Sequence, residues 1–156
     1  MKVEQRLQEL GITLPEVRTP VGNYVPSVRT GNLLYVSGHI GDLKQALGQL
    51  GTDVTVEEGY QAARKTAIAL LGSVKDAIGD LDRVKQVVKL LCMVNGAVGF
   101  SQHPAVANGC SDLLVEVFGE KGRHARSAVG FSGLPGNGCI EIEMILEIED
   151  EDSMTY

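Results

Sequence analysis

Three charged residues near the C-terminal end, Arg126, Glu141 and Glu143, have the types and spacing that anion chemistry requires. Arg126 leads into a short run, Ser127–Phe131, that predicts a strand. Glu141 and Glu143 alternate with isoleucines, so both carboxylates lie on one side of a second strand. A fixed guanidinium binds a planar anion through paired hydrogen bonds, and a nearby carboxylate can position a water. The pattern predicts an anion site, and alternation alone leaves Glu141 and Glu143 equivalent.

The elements that must position these residues follow from hydrophobic periodicity and cap signals. A capping box of Thr55 and Glu58 marks the start of the longest helix, and Pro104 suits the first turn of the next one. In chain order the sequence predicts a helix over Val3–Leu10, strands over Tyr24–Val28 and Leu33–Ile40 joined by a turn at Arg29–Asn32, a helix from Thr55 to Gly79, a strand over Val84–Asn95, a helix from His103 to Gly119, and strands over Ala125–Phe131 and Cys139–Ile148.

This order predicts an α+β fold with both long helices on one face of the sheet. Several strands are too apolar to face water, and the run Val84–Asn95 is apolar enough to predict a strand covered on both faces. An oligomer would cover the face that the helices leave bare, so the pattern predicts self-association.

Length and composition restrict the class of protein. The 156 residues predict a single domain, 1–156, with an extra N-terminal helix (about 3–11) and an acidic C-terminal tail (about 149–156). A net charge of −6 with no basic run argues against a nucleic-acid partner, and no apolar stretch is long enough to cross a membrane. Three cysteines and no signal peptide predict reduced thiols and a cytoplasmic protein.

Metal and cofactor sites are not predicted. The three histidines and three cysteines lack the spacing of metal ligands. The glycines between residues 130 and 138 precede a strand rather than a helix, so they do not predict a phosphate loop. His124 either lines a cleft with Arg126 or has a structural role, and the sequence favours the structural role.

Three segments together resemble the Rid/YjgF family, which is also called the endoribonuclease L-PSP family. The first is Gly22–Ile40, a hairpin that ends in Ser-Gly-His where the family has Ser-Gly-Gln; the second is Arg126–Ser127 in an Ala-Arg-Ser motif; the third is Leu134–Pro135 followed by Ile140–Glu143. The resemblance implies a chorismate-mutase-like fold, with a single sheet packed by two long helices. It also implies a homotrimer with ligand sites between subunits.

The resemblance further implies hydrolytic deamination of reactive enamines and imines, such as 2-aminoacrylate, to 2-keto acids and ammonia without a cofactor. Arg126 would clamp the substrate carboxylate, and the motif register selects Glu141 rather than Glu143 to hold the water. The implied substrate-binding residues are Tyr24, Ser37, Gly38, His39, Asn108, Ser127 and the backbone of Ala128.

Two departures from the family pattern keep alternatives open. Ala128 stands where the family commonly has Cys, and His39 replaces Gln and brings a group that titrates near neutral pH. The second hypothesis is a non-catalytic trimer that binds a small carboxylate as a sensor or regulator. A ribonuclease, implied by the older family name, is disfavoured by the acidic charge.

Overall fold

The computed structural model describes residues 2–41, 44 and 46–150. The helices are α1 (Lys2–Glu9), α2 (Val56–Ile78) and α3 (His103–Phe118), and the strands are β1 (Ser27–Thr30), β2 (Leu33–Ile40), β3 (Val84–Asn95), β4 (Ala125–Phe131) and β5 (Ile140–Ile148). The sheet order is β1-β2-β5-β3-β4, with β3 and β4 parallel and the other neighbours antiparallel. The predicted α+β fold, a single sheet with two long helices, is confirmed.

Helices α2 and α3 pack against each other and against one face of the sheet. The predicted capping box begins α2, where the Thr55 hydroxyl accepts a 3.2 Å hydrogen bond from the Glu58 amide. The helices meet at Gly109, where an added Cβ would lie 1.9 Å from the carbonyl oxygen of Tyr60. Only glycine permits this approach, which brings the core-facing side of α3 against α2.

The second face of the sheet, which we call the open face, carries no helix. Along β5 the residues Ile142 and Met144 are buried toward the helices, whereas Glu141 and Glu143 alternate with them on the open face. The prediction that the strand at 84–95 is covered on both faces is therefore wrong for a single chain. Residues of β3 alternate between a buried side and a side left partly accessible, because both long helices lie on one face.

The first hairpin differs from prediction in its boundaries. β1 begins at Ser27 and extends to Thr30, so the turn contains only Gly31 and Asn32. The expected strand began at Tyr24, but Pro26 has no amide hydrogen to donate to a ladder. Gly31 has φ 54°, a conformation suited to a two-residue turn.

Strand β2 is interrupted by a bulge that lies next to the predicted site. The pairing with β5 is regular up to Val36 and resumes at His39, so Ser37 and Gly38 form the irregular segment. A bulge changes the direction of its side chains relative to a regular strand. It therefore decides which of the predicted residues share a face.

The N-terminal helix is confirmed and is anchored to the domain. The Asp82 carboxylate accepts hydrogen bonds from the amides of Lys2 and Val3, both at 2.8 Å, and Leu7 is buried. The predicted acidic tail and the loop at 42–53 lie partly outside the described residues; within them, Asp150 pairs with Arg29 at 2.9 Å. No helix in the described ranges is long and apolar enough to span a membrane.

Candidate functional site

The side chain of Arg126 is held by two residues of α3. Its Nη1 donates to Asn108 Oδ1 at 2.9 Å and to Ser111 Oγ at 3.0 Å. Asn108 and Ser111 are three residues apart, so they lie on the same side of the helix. In the described part of the chain these are the hydrogen bonds of Arg126, which leaves its Nε–Nη2 edge available.

No carboxylate among the described residues forms an ion pair with Arg126. The guanidinium lies in a groove of about 710 Å³ between α3 and β4. The acids of that groove have other partners: Asp112 accepts from the Tyr60 hydroxyl at 2.6 Å, and Glu116 pairs with Arg64 at 3.0 Å. The positive charge of Arg126 is therefore compensated only by neutral acceptors, an arrangement that favours binding of an external anion.

Glu141 lies on the open face of β5, between β2 and β3. Burial raises the pKa of its carboxyl above the usual range, and the negative charge of Glu143 adds to this shift. Gly38 of the bulge approaches the carboxyl closely, since an added Cβ would lie 3.1 Å from Glu141 Cδ. A carboxylate whose conjugate acid has a raised pKa is a stronger base than an ordinary one, which suits a group that accepts a proton from water.

Glu143 shares the face of Glu141 but has different surroundings. It is exposed and lines a shallow cavity of about 470 Å³ on the open face, together with Tyr35, Ser37 and Lys89. Glu141 has the closer contact with the bulge, so local geometry distinguishes the two acids that sequence alternation could not.

Arg126 and Glu141 lie on opposite faces of the sheet. The Cα partner of Arg126 is Leu90, a core residue on the helix side, and the Arg126 side chain reaches α3. Glu141 is paired with Met93 and faces away from the helices. Within one chain the two predicted catalytic residues therefore lie on different faces of the sheet.

The profile of the family described as "YjgF/chorismate mutase-like, putative endoribonuclease" matches residues 4–148. The chain belongs to this family. Among curated relatives, "Protein TCP17" of Trypanosoma cruzi is 45% identical over 96% of each chain. "2-iminobutanoate/2-iminopropanoate deaminase" of the mite Dermatophagoides farinae is 31% identical, covering 88% of this chain and 95% of its own, and "Putative regulator AldR" of Lactococcus lactis is 34% identical, covering 83% and 90%.

Solved structures agree with the YjgF-family assignment. A protein from Shewanella oneidensis is 37% identical and superposes with a TM-score of 0.91, covering 95% of this chain and all of its own. A protein of unknown function from Agrobacterium tumefaciens is 42% identical with a TM-score of 0.86, covering 96% and 93%. These values identify the chorismate-mutase-like fold along almost the entire chain.

The remaining residues predicted from the YjgF-family motifs fall in different places. Tyr24 is 51% exposed in the segment before β1, and the Ser37 hydroxyl donates to the Val25 carbonyl at 2.7 Å. Ser127 accepts a 3.2 Å hydrogen bond from Lys89. Ala128 packs against the core, in register with a buried residue of β3.

The structure separates His39 from the face of Glu141. Its Nε2 lies 2.7 Å from the Ser73 hydroxyl of α2, and its Nδ1 lies 2.7 Å from the Ser37 carbonyl. Burial lowers the pKa of His39, the carbonyl of Ser37 opposes this, and the positive charge of Arg18 lowers it further. The imidazole is therefore on the helix side, and the expected titrating group in the Glu141 pocket is not there.

Two residues of the Arg126 environment were not among the predicted site residues. Ser111 contacts Arg126 directly, and His124 contacts Ser111 with Nε2 to Oγ at 2.9 Å. The sequence carried a signal for these contacts: residues 108, 111 and 112 form a polar stripe on the exposed side of an otherwise apolar helix. Within residues 2–41, 44 and 46–150, no cluster of three His, Cys, Asp or Glu side chains could hold a metal.

Proposed function

We propose that this protein hydrolyses small 2-imino acids to 2-keto acids and ammonia, as a homotrimer whose sites lie between subunits. Three observations support the proposal. The chain belongs to the YjgF family, a relative 31% identical is named as a deaminase of 2-iminobutanoate and 2-iminopropanoate, and the chain presents an unpaired guanidinium and a carboxyl with a raised pKa.

The main support for a site between subunits is that Arg126 and Glu141 lie on opposite faces of the sheet. Arg126 belongs to β4, which forms one edge of the sheet, whereas Glu141 lies on the open face of the central strand β5. One substrate can meet both groups when the β4 edge of one subunit approaches the open face of the next. When the same head-to-tail contact is repeated around a rotation axis, the subunits close into a ring, and a trimer is one such ring.

In this proposal Arg126 binds the substrate carboxylate. Asn108 and Ser111 occupy Nη1, so the Nε–Nη2 edge offers two parallel donors to the two carboxylate oxygens. Because the guanidinium is already held by neutral acceptors, it loses little side-chain freedom when the anion binds.

Glu141 of the neighbouring subunit would hold the attacking water. The water oxygen bonds to the imine carbon while Glu141 accepts a water proton and passes it to the imine nitrogen, which gives a carbinolamine with hydroxyl and amino groups. Glu141 then accepts the hydroxyl proton and passes it to the amino nitrogen. The carbon–nitrogen bond breaks as the keto group forms, so ammonia and a 2-keto acid leave and the Glu141 carboxylate is regenerated. The imine carbon is already electrophilic, so this scheme requires no cofactor. The raised pKa of Glu141 suits a group that both accepts and donates a proton.

The test is ammonia release from freshly generated 2-aminoacrylate. We expect the wild type to accelerate it, and Arg126→Ala to lower the catalysed rate at low substrate concentration by roughly 10²-fold or more, as for loss of a bidentate charged pair. Arg123→Ala is the matched control, since Arg123 lines the same groove but pairs with Glu120 at 3.8 Å. Full turnover by Arg126→Ala would exclude the proposal.

The second candidate is a carboxylate-binding protein without catalysis. It is favoured by one observation: the arginine site is complete within a single chain, whereas the acid is not near it. One relative, 34% identical, is named "Putative regulator AldR", a name that fits a regulatory role. This candidate predicts binding of pyruvate or 2-oxobutanoate with no ammonia release, so the two assays distinguish it from a deaminase.

Ribonuclease activity fits the chain less well. The net charge is −6, and a nucleic-acid surface gains most of its affinity from clustered basic residues. We expect no salt-dependent RNA binding; RNA affinity that falls steeply with salt would contradict this expectation.

A further inference from the structure

His124 is fixed from both sides of its imidazole ring. Its Nδ1 lies 2.6 Å from the Gly122 carbonyl oxygen, and its Nε2 lies 2.9 Å from the Ser111 hydroxyl. Gly122 itself is pressed against α3, since an added Cβ would lie 2.1 Å from the carbonyl oxygen of Leu114. The carbonyl that holds His124 is thus part of a tightly packed turn.

These contacts define which atoms carry the protons. A carbonyl oxygen only accepts, so His124 Nδ1 carries the hydrogen and Nε2 of the neutral ring is an acceptor. The Ser111 hydroxyl must then donate to Nε2. With its hydrogen directed at His124, the Ser111 oxygen presents lone pairs to Arg126 Nη1, 3.0 Å away. Burial lowers the pKa of His124, the hydrogen bond to the Gly122 carbonyl opposes this, and the charge of Arg126 lowers the pKa further, so the net shift favours the neutral ring.

We infer that His124 is a positioning residue for Arg126, which acts by fixing the Ser111 hydroxyl as an acceptor for the guanidinium. This inference rests on the proposed role of Arg126 in carboxylate binding. Asn108 holds one Nη1 hydrogen and Ser111 the other, so the plane of the guanidinium is set by two acceptors. Without His124 the Ser111 hydroxyl rotates among its staggered positions and accepts from Nη1 only part of the time.

The role is specific to the contact through Ser111. Arg123, one residue before His124, lines the same groove but among the described residues makes no hydrogen bond to Ser111 or Arg126, and it pairs with Glu120 on the surface. If binding weakened only because the charge or shape of the groove had changed, Arg123→Ala would weaken it too. If binding weakened because Arg126 was no longer positioned, Arg123→Ala would have no such effect.

The first experiment measures the dissociation constant of pyruvate, and the kcat and KM for 2-iminopropanoate, in the wild type and five variants. We expect His124→Phe to weaken pyruvate binding and raise KM about three- to tenfold, the value of one hydrogen bond, with kcat unchanged. His124→Gln places an amide oxygen near the position of Nε2 and should restore the wild-type constants. Ser111→Ala should match His124→Phe, and the double variant should be no worse than Ser111→Ala alone.

Three results would overturn the inference: unchanged binding in His124→Phe, no rescue by His124→Gln, or full additivity of the two substitutions. Arg123→Ala should stay within about twofold of wild type, because it removes no hydrogen bond to Arg126. Thermal unfolding of each variant confirms that it is folded. If His124→Phe does not fold, His124→Gln still decides the test.

A second measurement separates this inference from the deaminase proposal. Nuclear magnetic resonance of the Arg126 side chain reports rotation of the guanidinium about its Nε–Cζ bond without any ligand. We expect slow rotation in the wild type and in His124→Gln, and faster rotation in His124→Phe. If pyruvate does not bind or imine is not hydrolysed, the deaminase proposal fails while this result still decides the role of His124; equal rotation in all three proteins would refute that role.

Discussion

The β4–α3 edge and the open face near β2 hold the two halves of the proposed site in different ways. At the edge, Arg126 is held by side chains of α3, and its partners were placed there by helix packing. On the open face, Glu141 forms no side-chain hydrogen bond or ion pair among the described residues, and the backbone at Gly38 lies close to its carboxyl. The proposed anion-binding half is thus pre-organised in one chain, whereas the proposed acid half has no comparable side-chain support within it.

Two histidines, one on β2 and one just before β4, have the same local geometry. His39 and His124 both contact the carbonyl two residues earlier through Nδ1 and a helix serine through Nε2. Ser111, the serine beside His124, also accepts from Arg126, whereas Ser73 beside His39 has no contact with Glu141. The same pattern therefore supports a ligand-binding side chain at one site and only the backbone of a strand at the other.

The largest expected effect comes from mixing two inactive proteins. Arg126→Ala and Glu141→Gln subunits, co-expressed with different tags, should together recover about a third of wild-type activity, since each trimer that contains both variants has one head-to-tail contact out of three that combines an intact Arg126 with an intact Glu141. The measurement is ammonia release by the doubly purified mixture, with each variant alone as control. Activity no higher than that of the single variants would show that the two residues do not form one site across subunits.

A smaller effect separates binding from chemistry on the open face. Glu141→Gln should lower kcat about 10²–10⁴-fold, as expected for loss of general acid–base help, and should leave the pyruvate dissociation constant nearly unchanged. Glu143→Gln is the matched control, one step along the same face, and should retain near-wild-type turnover. A large loss of turnover in Glu143→Gln would reverse the assignment of the two acids.

The same substitution has a predicted effect on stability. The pKa of Glu141 is raised in the folded protein, so its contribution to stability is fully present below the unfolded pKa and is lost as pH rises through the folded pKa. At neutral pH a neutral amide removes that penalty. Glu141→Gln should therefore unfold at a slightly higher temperature than wild type at pH 7.5, and the gain should disappear near pH 4; a lower unfolding temperature at pH 7.5 would contradict this.

Sequence reasoning predicted the sheet, both long helices and the shared face of Glu141 and Glu143, because these depend on periodicity within single elements. It could not assign a face to Arg126, since the run at 125–131 lacks alternation. The contact between Ser111 and His124 joins a helix to the segment before β4, and no local pattern records it. The resemblance placed His39 among the substrate-binding residues, and the bulge at Ser37 and Gly38 directs its ring toward α2.

The smallest expected effect tests the difference between the two histidines. Burial lowers the pKa of both in the folded protein, so between the folded pKa and the ordinary value of 6.5 the unfolded chain binds more protons. Their contribution to stability is therefore present above pH 6.5 and is lost as pH falls through the folded pKa. Replacing either with Gln, which does not titrate, should reduce the fall in unfolding temperature between pH 7.5 and 5.5, on the order of one or two degrees each.

Pyruvate binding distinguishes the two replacements further. His39→Phe should change the unfolding temperature but leave the dissociation constant of pyruvate within about twofold, because its hydrogen bonds hold β2 to α2 rather than a ligand-binding group. His124→Phe should change both. If His39→Phe weakened pyruvate binding as much as His124→Phe, a general stabilisation of the sheet would explain the effects of both substitutions. A separate role for the Ser111 contact at the β4–α3 edge would then be refuted.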